Sequence, residues 1–180
     1  MENLPMYVYI TFGFTVLLTI WLFFRSFKNP VPAGGRFLDR LDLKSLTLVH
    51  IVAIPVELVL YWLFLNKAVP KLMTFEGRNF DILSGLSAPL VWYFGFVKQK
   101  LGRIALIIWN LVCLALLLNV IPLAVLSLPT PFQRFAFDQP NIALGHFPFF
   151  LLPACIVPLV LFSHLAALRI LILRKQSYYH

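Results

Sequence analysis

From Ile104 to Leu126 the sequence holds no charged side chain. A helix crosses the hydrocarbon of a bilayer with about 20 predominantly apolar residues, so this run alone is long enough. Four more apolar stretches stand along the chain, each closed by cations. Tyr7 to Phe24 ends in Arg25 and Lys28, and Leu46 to Leu65 ends at Asn66 and Lys67. Ile82 to Val97 is shorter, follows the polar segment Glu76 to Asp81, and is closed by Lys98, Lys100 and Arg103. The last runs from about His146 to Leu173 and ends in Arg174 and Lys175.

Composition agrees with spans. The chain is 61% hydrophobic and 12% charged, with mean hydropathy +0.87. A soluble domain is nearer half apolar and a quarter charged. A chain of 180 residues has too much surface to hide that excess in one water-soluble core. The expected architecture is therefore all-α: a polytopic membrane helix bundle of about five transmembrane helices, one domain over residues 1–180. A cleaved signal peptide is disfavoured for the first run. Glu2 precedes it, its cations follow it, and no small-x-small cleavage site is evident.

The net charge of +8 sits in loops and forms no patch or stripe of the kind that binds nucleic acid. Its distribution sets orientation instead. Eleven of the 15 cations fall on one side: Arg25, Lys28, Arg36, Arg40 and Lys44, then Lys98, Lys100 and Arg103, then Arg169, Arg174 and Lys175. The other side holds Lys67, Lys71, Arg78 and Arg134. The positive-inside rule puts the N-terminus outside and the C-terminus in the cytoplasm. Between the first two spans, residues 29–35 read as a flexible Pro/Gly link, and Phe37 to Leu43 as a short amphipathic segment on the membrane surface. Ser127 to Leu144, with Pro129, Pro131 and Pro140, reads as an irregular external loop. Cys113 and Cys155 both lie in apolar runs and suggest no disulfide framework.

Polar residues inside such spans are costly and usually face a partner or a cavity. Glu57 stands near the middle of the second span, on a helical stripe with Thr47, His50, Ile54 and Tyr61. His50, Asn110 and His164 each fall roughly 8 Å to the cytoplasmic side of the midplane by helical rise, so three helices offer one polar layer. Such a layer can bind a metal, relay protons or orient a polar headgroup; it can equally hold helices together by ordinary hydrogen bonds. At the outer rim, Glu76, Arg78, Asn79 and Asp81 face Arg134, Asp138, Gln139, Asn141 and His146. That cluster reads as a salt-bridged loop pair, or alternatively as a mouth for a polar solute, with Asp81 as N-cap of the third span. Ser84, Ser87, Ala88, Val91 and Gly95 give that span a small-residue face suited to a central position. Pro148, Pro153 and Pro158 predict bends in the last span. No metal site is indicated, since HExxH and clustered Cys/His spacings are absent. No GxSxG, P-loop or GxGxxG occurs either, so no cofactor is expected.

The segments His50 to Glu57, Leu72 to Leu83 and Phe162 to Arg169 resemble a multi-pass inner-membrane protein family of Bacteroidota-type bacteria with no assigned activity. The resemblance covers roughly residues 37–175 and implies helical membrane architecture and a bacterial inner-membrane location. It supplies no site residues. It also implies further apolar spans between the first helix and Gly35, where this chain has only the Pro/Gly link.

Three functions fit. One is small-molecule or proton-linked transport, or ligand binding within the bundle. Another is an intramembrane enzyme acting on a lipid or isoprenoid, with Glu57 and His50 as acid and base. The third is a non-catalytic assembly or sensory subunit. The expected partners are the lipid bilayer and a small-molecule or lipid ligand, with a homo-oligomer or membrane partner as a further option. Topology is directly testable. A reporter at residue 1 should be reached by a membrane-impermeant reagent in intact cells, and one at residue 180 only after lysis; both tags in one compartment would refute the orientation.

Overall fold

Prolines decide where the helices of this chain begin and bend. The computed structural model describes residues 6–28 and 41–173. Among these residues the chain forms five helices and no strand: α1 (Met6–Lys28), α2 (Leu43–Leu65), α3 (Ile82–Val97), α4 (Arg103–Val125) and α5 (Leu152–Leu173). Helices α2, α4 and α5 are each long and apolar enough to cross a membrane, and α3 is a shorter apolar helix. Most of the expected surface segment at 37–43, and all of the link at 29–35, lie outside the described residues.

Helix α2 starts three residues before the expected span. Asp42 caps it, accepting the Ser45 backbone N–H at 3.3 Å. Inside α2, His50–Val52 tighten into a 3₁₀ turn. The cause is Pro55: it has no N–H for the Ile51 carbonyl four residues back, and the ladder shortens one turn ahead of the ring. In α3, Pro89 precedes a π turn at Tyr93–Val97.

The last helix corrects the sequence reading. It begins at Leu152 rather than His146. Residues 143–150 spend their apolar side chains on tight turns: a 3₁₀ turn at Ala143–Gly145, then Phe150 N–H to the His146 carbonyl at 2.9 Å and Leu151 N–H to Pro148 at 3.1 Å. Pro148 and Pro153 cannot donate to a helical ladder there. Pro153 falls in a π turn, Leu152–Ile156, and Pro158 lies in the helix that follows.

The central element is α5, also against expectation. About 61% of its most apolar window is buried, against 28% for α2 and 22% for α4. Helices α1, α2 and α4 all pack on it. Helix α3 buries Ser84, Gly85 and Ala88 but leaves Leu83, Leu86 and Leu90 exposed, so its small face serves close approach from the periphery. The contact is with the 3₁₀ turn of α2. A Cβ added to Gly85 would lie 2.8 Å from Ile54 Cγ1, 3.0 Å from the Ile54 backbone nitrogen and 3.2 Å from the His50 carbonyl oxygen.

Two apolar clusters close the bundle at its ends. Leu60, Leu63, Met73, Leu123 and Leu144 pack under loops 66–81 and 126–151, at what we term the loop end. Leu43, Leu46, Leu106, Ala167 and Ile170 pack at the opposite end. There Arg103 at the start of α4 donates from Nη2 to the Ile172 carbonyl at 2.9 Å and from Nε to the Leu171 carbonyl, so it caps the C-terminus of α5.

The crossing at Gly85 yields a sign test. Gly85→Ala should lower the melting temperature in detergent, because overpacking costs about 1–3 kcal/mol and exceeds the gain in helix propensity. Gly13→Ala in α1, whose Cβ meets nothing within 4 Å, should leave it unchanged or raise it.

Candidate functional site

Helix α2 presents His50 and Glu57 on one face, two turns apart, and both side chains are buried. Each is met by a different set of partners.

Glu57 is met from the loop that follows its own helix. Asn66 closes α2 by donating its side-chain amide to the Trp62 carbonyl at 2.9 Å, and Lys67 reverses the chain with a φ of 58°. A 3₁₀ turn at Lys71–Met73 then folds the segment back beneath the helix end. The Thr74 carbonyl accepts the Gly77 N–H at 2.8 Å. Only glycine fits at 77, since a Cβ would run into the Lys71 carbonyl oxygen and Leu72 Cα. The ring so formed turns Asn79 fully inward. Asn79 Nδ2 donates to Glu57 Oε1 and to the Met73 carbonyl (3.1 Å), while its Oδ1 accepts the Asp81 backbone N–H at 3.1 Å. Ser84 Oγ donates to Asp81 Oδ1 at 2.8 Å. Asp81 thus stands at the N-cap position of α3 without making a side-chain cap bond, a correction to the sequence reading. Burial pushes its carboxyl above the ordinary aspartate range, with the Ser84 hydroxyl acting in the opposite sense.

Glu57 Oε2 is buried and has no hydrogen-bond partner. Glu57 is one of the residues that line a cavity of about 100 Å³ between α2, α4 and α5. That wall is aliphatic apart from Glu57, Asp81 and Asn141, and among the described residues it carries two carboxyls and no Lys, Arg or His. Asn141 is already spent: it donates to the Ala124 carbonyl at 3.1 Å and accepts from the Leu144 N–H.

The rim corrects the expected salt-bridged loop pair. Asn79 and Asp81 leave the rim for the interior. Glu76 pairs with Lys71 at 3.7 Å within one loop, and both side chains are well exposed. The two loops are joined by amides instead. Gln139 donates to the Phe64 and Val69 carbonyls at 3.1 and 2.6 Å, and the Ala68 carbonyl accepts from Ile142 and Ala143 at 3.0 Å each. The Arg78 carbonyl accepts from Asn119 at 2.8 Å. Arg134, Asp138 and His146 are exposed. Tyr61 packs on Phe75 with ring centroids 4.9 Å apart and stands apart from the cavity wall.

His50, Asn110 and His164 come together from α2, α4 and α5. The imidazole rings stack with centroids 3.9 Å apart and 17° between planes. His164 Nδ1 lies 3.2 Å from Asn110 Oδ1, so that nitrogen carries the proton. His164 Nε2 and both ring nitrogens of His50 have no hydrogen-bond partner, although both rings are wholly buried. Trp109, which sequence reasoning passed over beside Asn110, stands edge-on to His50 at 5.4 Å and donates its indole N–H to Ser87 Oγ at 2.9 Å. Among the described residues no three His, Cys, Asp or Glu side chains gather in a metal-binding group.

A family model described as a domain of unknown function, DUF8737, matches residues 7–172. It takes in the first helix, which the resemblance read from the sequence left out. No curated protein and no solved structure matches the chain.

The Glu57–Asn79 contact can be weighed by a double-mutant cycle. Asn79→Leu should destabilise by about 1–3 kcal/mol, because it strips the last partner from a buried carboxyl. Glu57→Met in the same chain should recover much of that loss. Additive effects of the two changes would mean the contact carries no coupling.

Proposed function

We propose that this chain, which belongs to that family of unknown function, is a multi-pass protein of the bacterial inner membrane whose bundle binds a small cationic amphiphile. The observation that carries the reading is that Glu57, whose buried Oε2 has no hydrogen-bond partner, lines an aliphatic cavity. A buried polar atom without a partner is uncommon and calls for one. Two carboxyls without a base in the same wall favour a positively charged, hydrogen-bond-donating head. The aliphatic remainder favours a short hydrocarbon group. A dry cavity of about 150 Å³ takes benzene, so this one suits a group of about that size or smaller.

The membrane setting is supported by the apolar lengths of α2, α4 and α5 and by side chains that water would not tolerate in such number. Leu58, Trp62 and Leu65 of α2, with Leu111, Val112 and Leu118 of α4, point outward and are exposed. The eleven-to-four cation asymmetry supports placing the loop end outside the cell. Glu57 then lies toward the outer half of the bundle and His50 toward the cytoplasmic half.

Hexylamine is a suitable probe. At saturating concentration it should raise the melting temperature of the detergent-solubilised chain, approaching the stabilisation of about 2.7 kcal/mol expected at a hundredfold excess over Kd. Glu57→Gln should remove most of that gain, and so should Val160→Phe, which fills the cavity. Equal stabilisation of all three proteins would show that the amine binds elsewhere, and the reading would fall.

A further inference from the structure

The two carboxyls that line the cavity carry more than the sign of a ligand's charge. Glu57 is 2% exposed and Asp81 8%. Each has one oxygen held by a donor of the protein. Asn79 Nδ2 donates to Glu57 Oε1, and Ser84 Oγ donates to Asp81 Oδ1 at 2.8 Å. The second oxygens are left over. Glu57 Oε2 has no hydrogen-bond partner, and among the described residues no hydrogen bond reaches Asp81 Oδ2.

The two residues are also held in a fixed relation. A single amide stands between them: Asn79 donates to Glu57 and accepts the Asp81 backbone N–H at 3.1 Å. Asp81 lies close enough for its charge to be felt at Glu57. One cavity is therefore lined by two carboxyls from different elements, each with an acceptor to spare.

Three kinds of cation could meet such a pair. A calcium or magnesium ion takes six or more oxygens. Beyond the two carboxyls the wall offers only Asn141, which is spent on Ala124 and Leu144. A primary ammonium is a compact and strongly hydrated point charge, and an aliphatic wall returns little of the hydration it loses. A guanidinium is more weakly hydrated and carries five N–H donors in a planar fork. One edge of that fork can meet one carboxyl while a second edge meets the other.

We infer that the ligand's head is a planar cation of the guanidinium type bridging Glu57 and Asp81, and that Asp81 selects it over a simple ammonium. Its hydrocarbon group lies along Leu117 and Val120 of α4 and Val157 and Val160 of α5. The inference rests on the reading of the cavity as a site for a cationic amphiphile and names the head that the site prefers.

Hexylguanidine, hexylamine and hexylurea share a chain and differ in the head, so titration calorimetry on the full chain in detergent compares heads alone. The guanidine should bind about tenfold tighter than the amine, the worth of one added hydrogen bond to a charged group. Hexylurea, planar and N–H-bearing but uncharged, should bind weakest. This order is read on the wild-type chain and needs no variant to fold. Asp81→Asn keeps an oxygen for Ser84 and removes the second charge; it should weaken both cations and bring them to about equal affinity. Equal binding of guanidine and amine by the wild-type chain, urea binding as tight as guanidine, or an undiminished preference in Asp81→Asn would each overturn the inference. Hexylamine binding that Glu57→Gln abolishes would still uphold the amphiphile site in those cases, whereas failure of both cations to bind the wild-type chain would overturn site and inference together.

Discussion

The hydrogen bond from Asn79 to Glu57 is the contact on which the rest of the loop end depends. A carboxyl at the wall of an aliphatic cavity must be met by a donor or it destabilises the fold that buries it. Asn79 meets it with one amide and ties down two backbone groups with the remainder of the same side chain. The turn at Gly77, the reversal at Lys67 and the inward position of Asp81 are all consequences of bringing that amide beneath the end of α2. Because Asn79 meets only Oε1, the other oxygen is left without a hydrogen-bond partner. The fold thereby fixes one oxygen of the carboxyl and leaves the other unpartnered.

The second constraint is backbone satisfaction in apolar surroundings. Each proline within a helix removes a donor, and the neighbouring ladder answers by tightening or widening. Pro55 gives α2 its 3₁₀ turn at His50, and Pro153 falls in the π turn that opens α5. These local changes bear on the site. Where α2 is tightest, Gly85 lets α3 come against its backbone, and the His50 ring is carried toward α5. Where α5 is widened, Leu152, Pro153 and Ile156 form part of the cavity wall. The bends sit at the site because the same residues that break the ladder make room beside it.

Much of this was legible in the sequence, and the reasons for the exceptions are physical. Runs of apolar residues report helices well when nothing competes with the ladder, and α4 follows the expected span within a residue. Helical spacing sufficed to align His50 with Glu57 and to bring Asn110 and His164 to one level, because depth along a helix is simply residue count. Hydropathy fails where apolar residues fold into turns. Phe147, Phe149 and Phe150 count as membrane-like, yet Pro148 keeps them out of α5. It fails again for α3, whose small face was read as a sign of centrality; small residues measure how near two backbones can come, and say nothing about the opposite face. The inward turn of Asn79 and Asp81 was invisible because no periodicity governs a loop. The one available clue was Gly77, set two residues ahead of Asn79 in a segment otherwise rich in side chains that reach water.

The arrangement also explains why the two polar centres differ in kind. At the loop end, polar atoms are joined into a chain from Glu57 through Asn79 and Asp81 to Ser84, and amides seal the loops above it. At the other centre, two rings stack with most of their nitrogens free, and the apolar cluster around Leu46, Leu106 and Ile170 closes the bundle beyond them. The stacked pair is tied to the bundle by one polar contact, between His164 Nδ1 and Asn110 Oδ1, and otherwise by packing. The centre rich in hydrogen bonds sits beneath the loops; the centre held by ring stacking sits where α2, α4 and α5 meet.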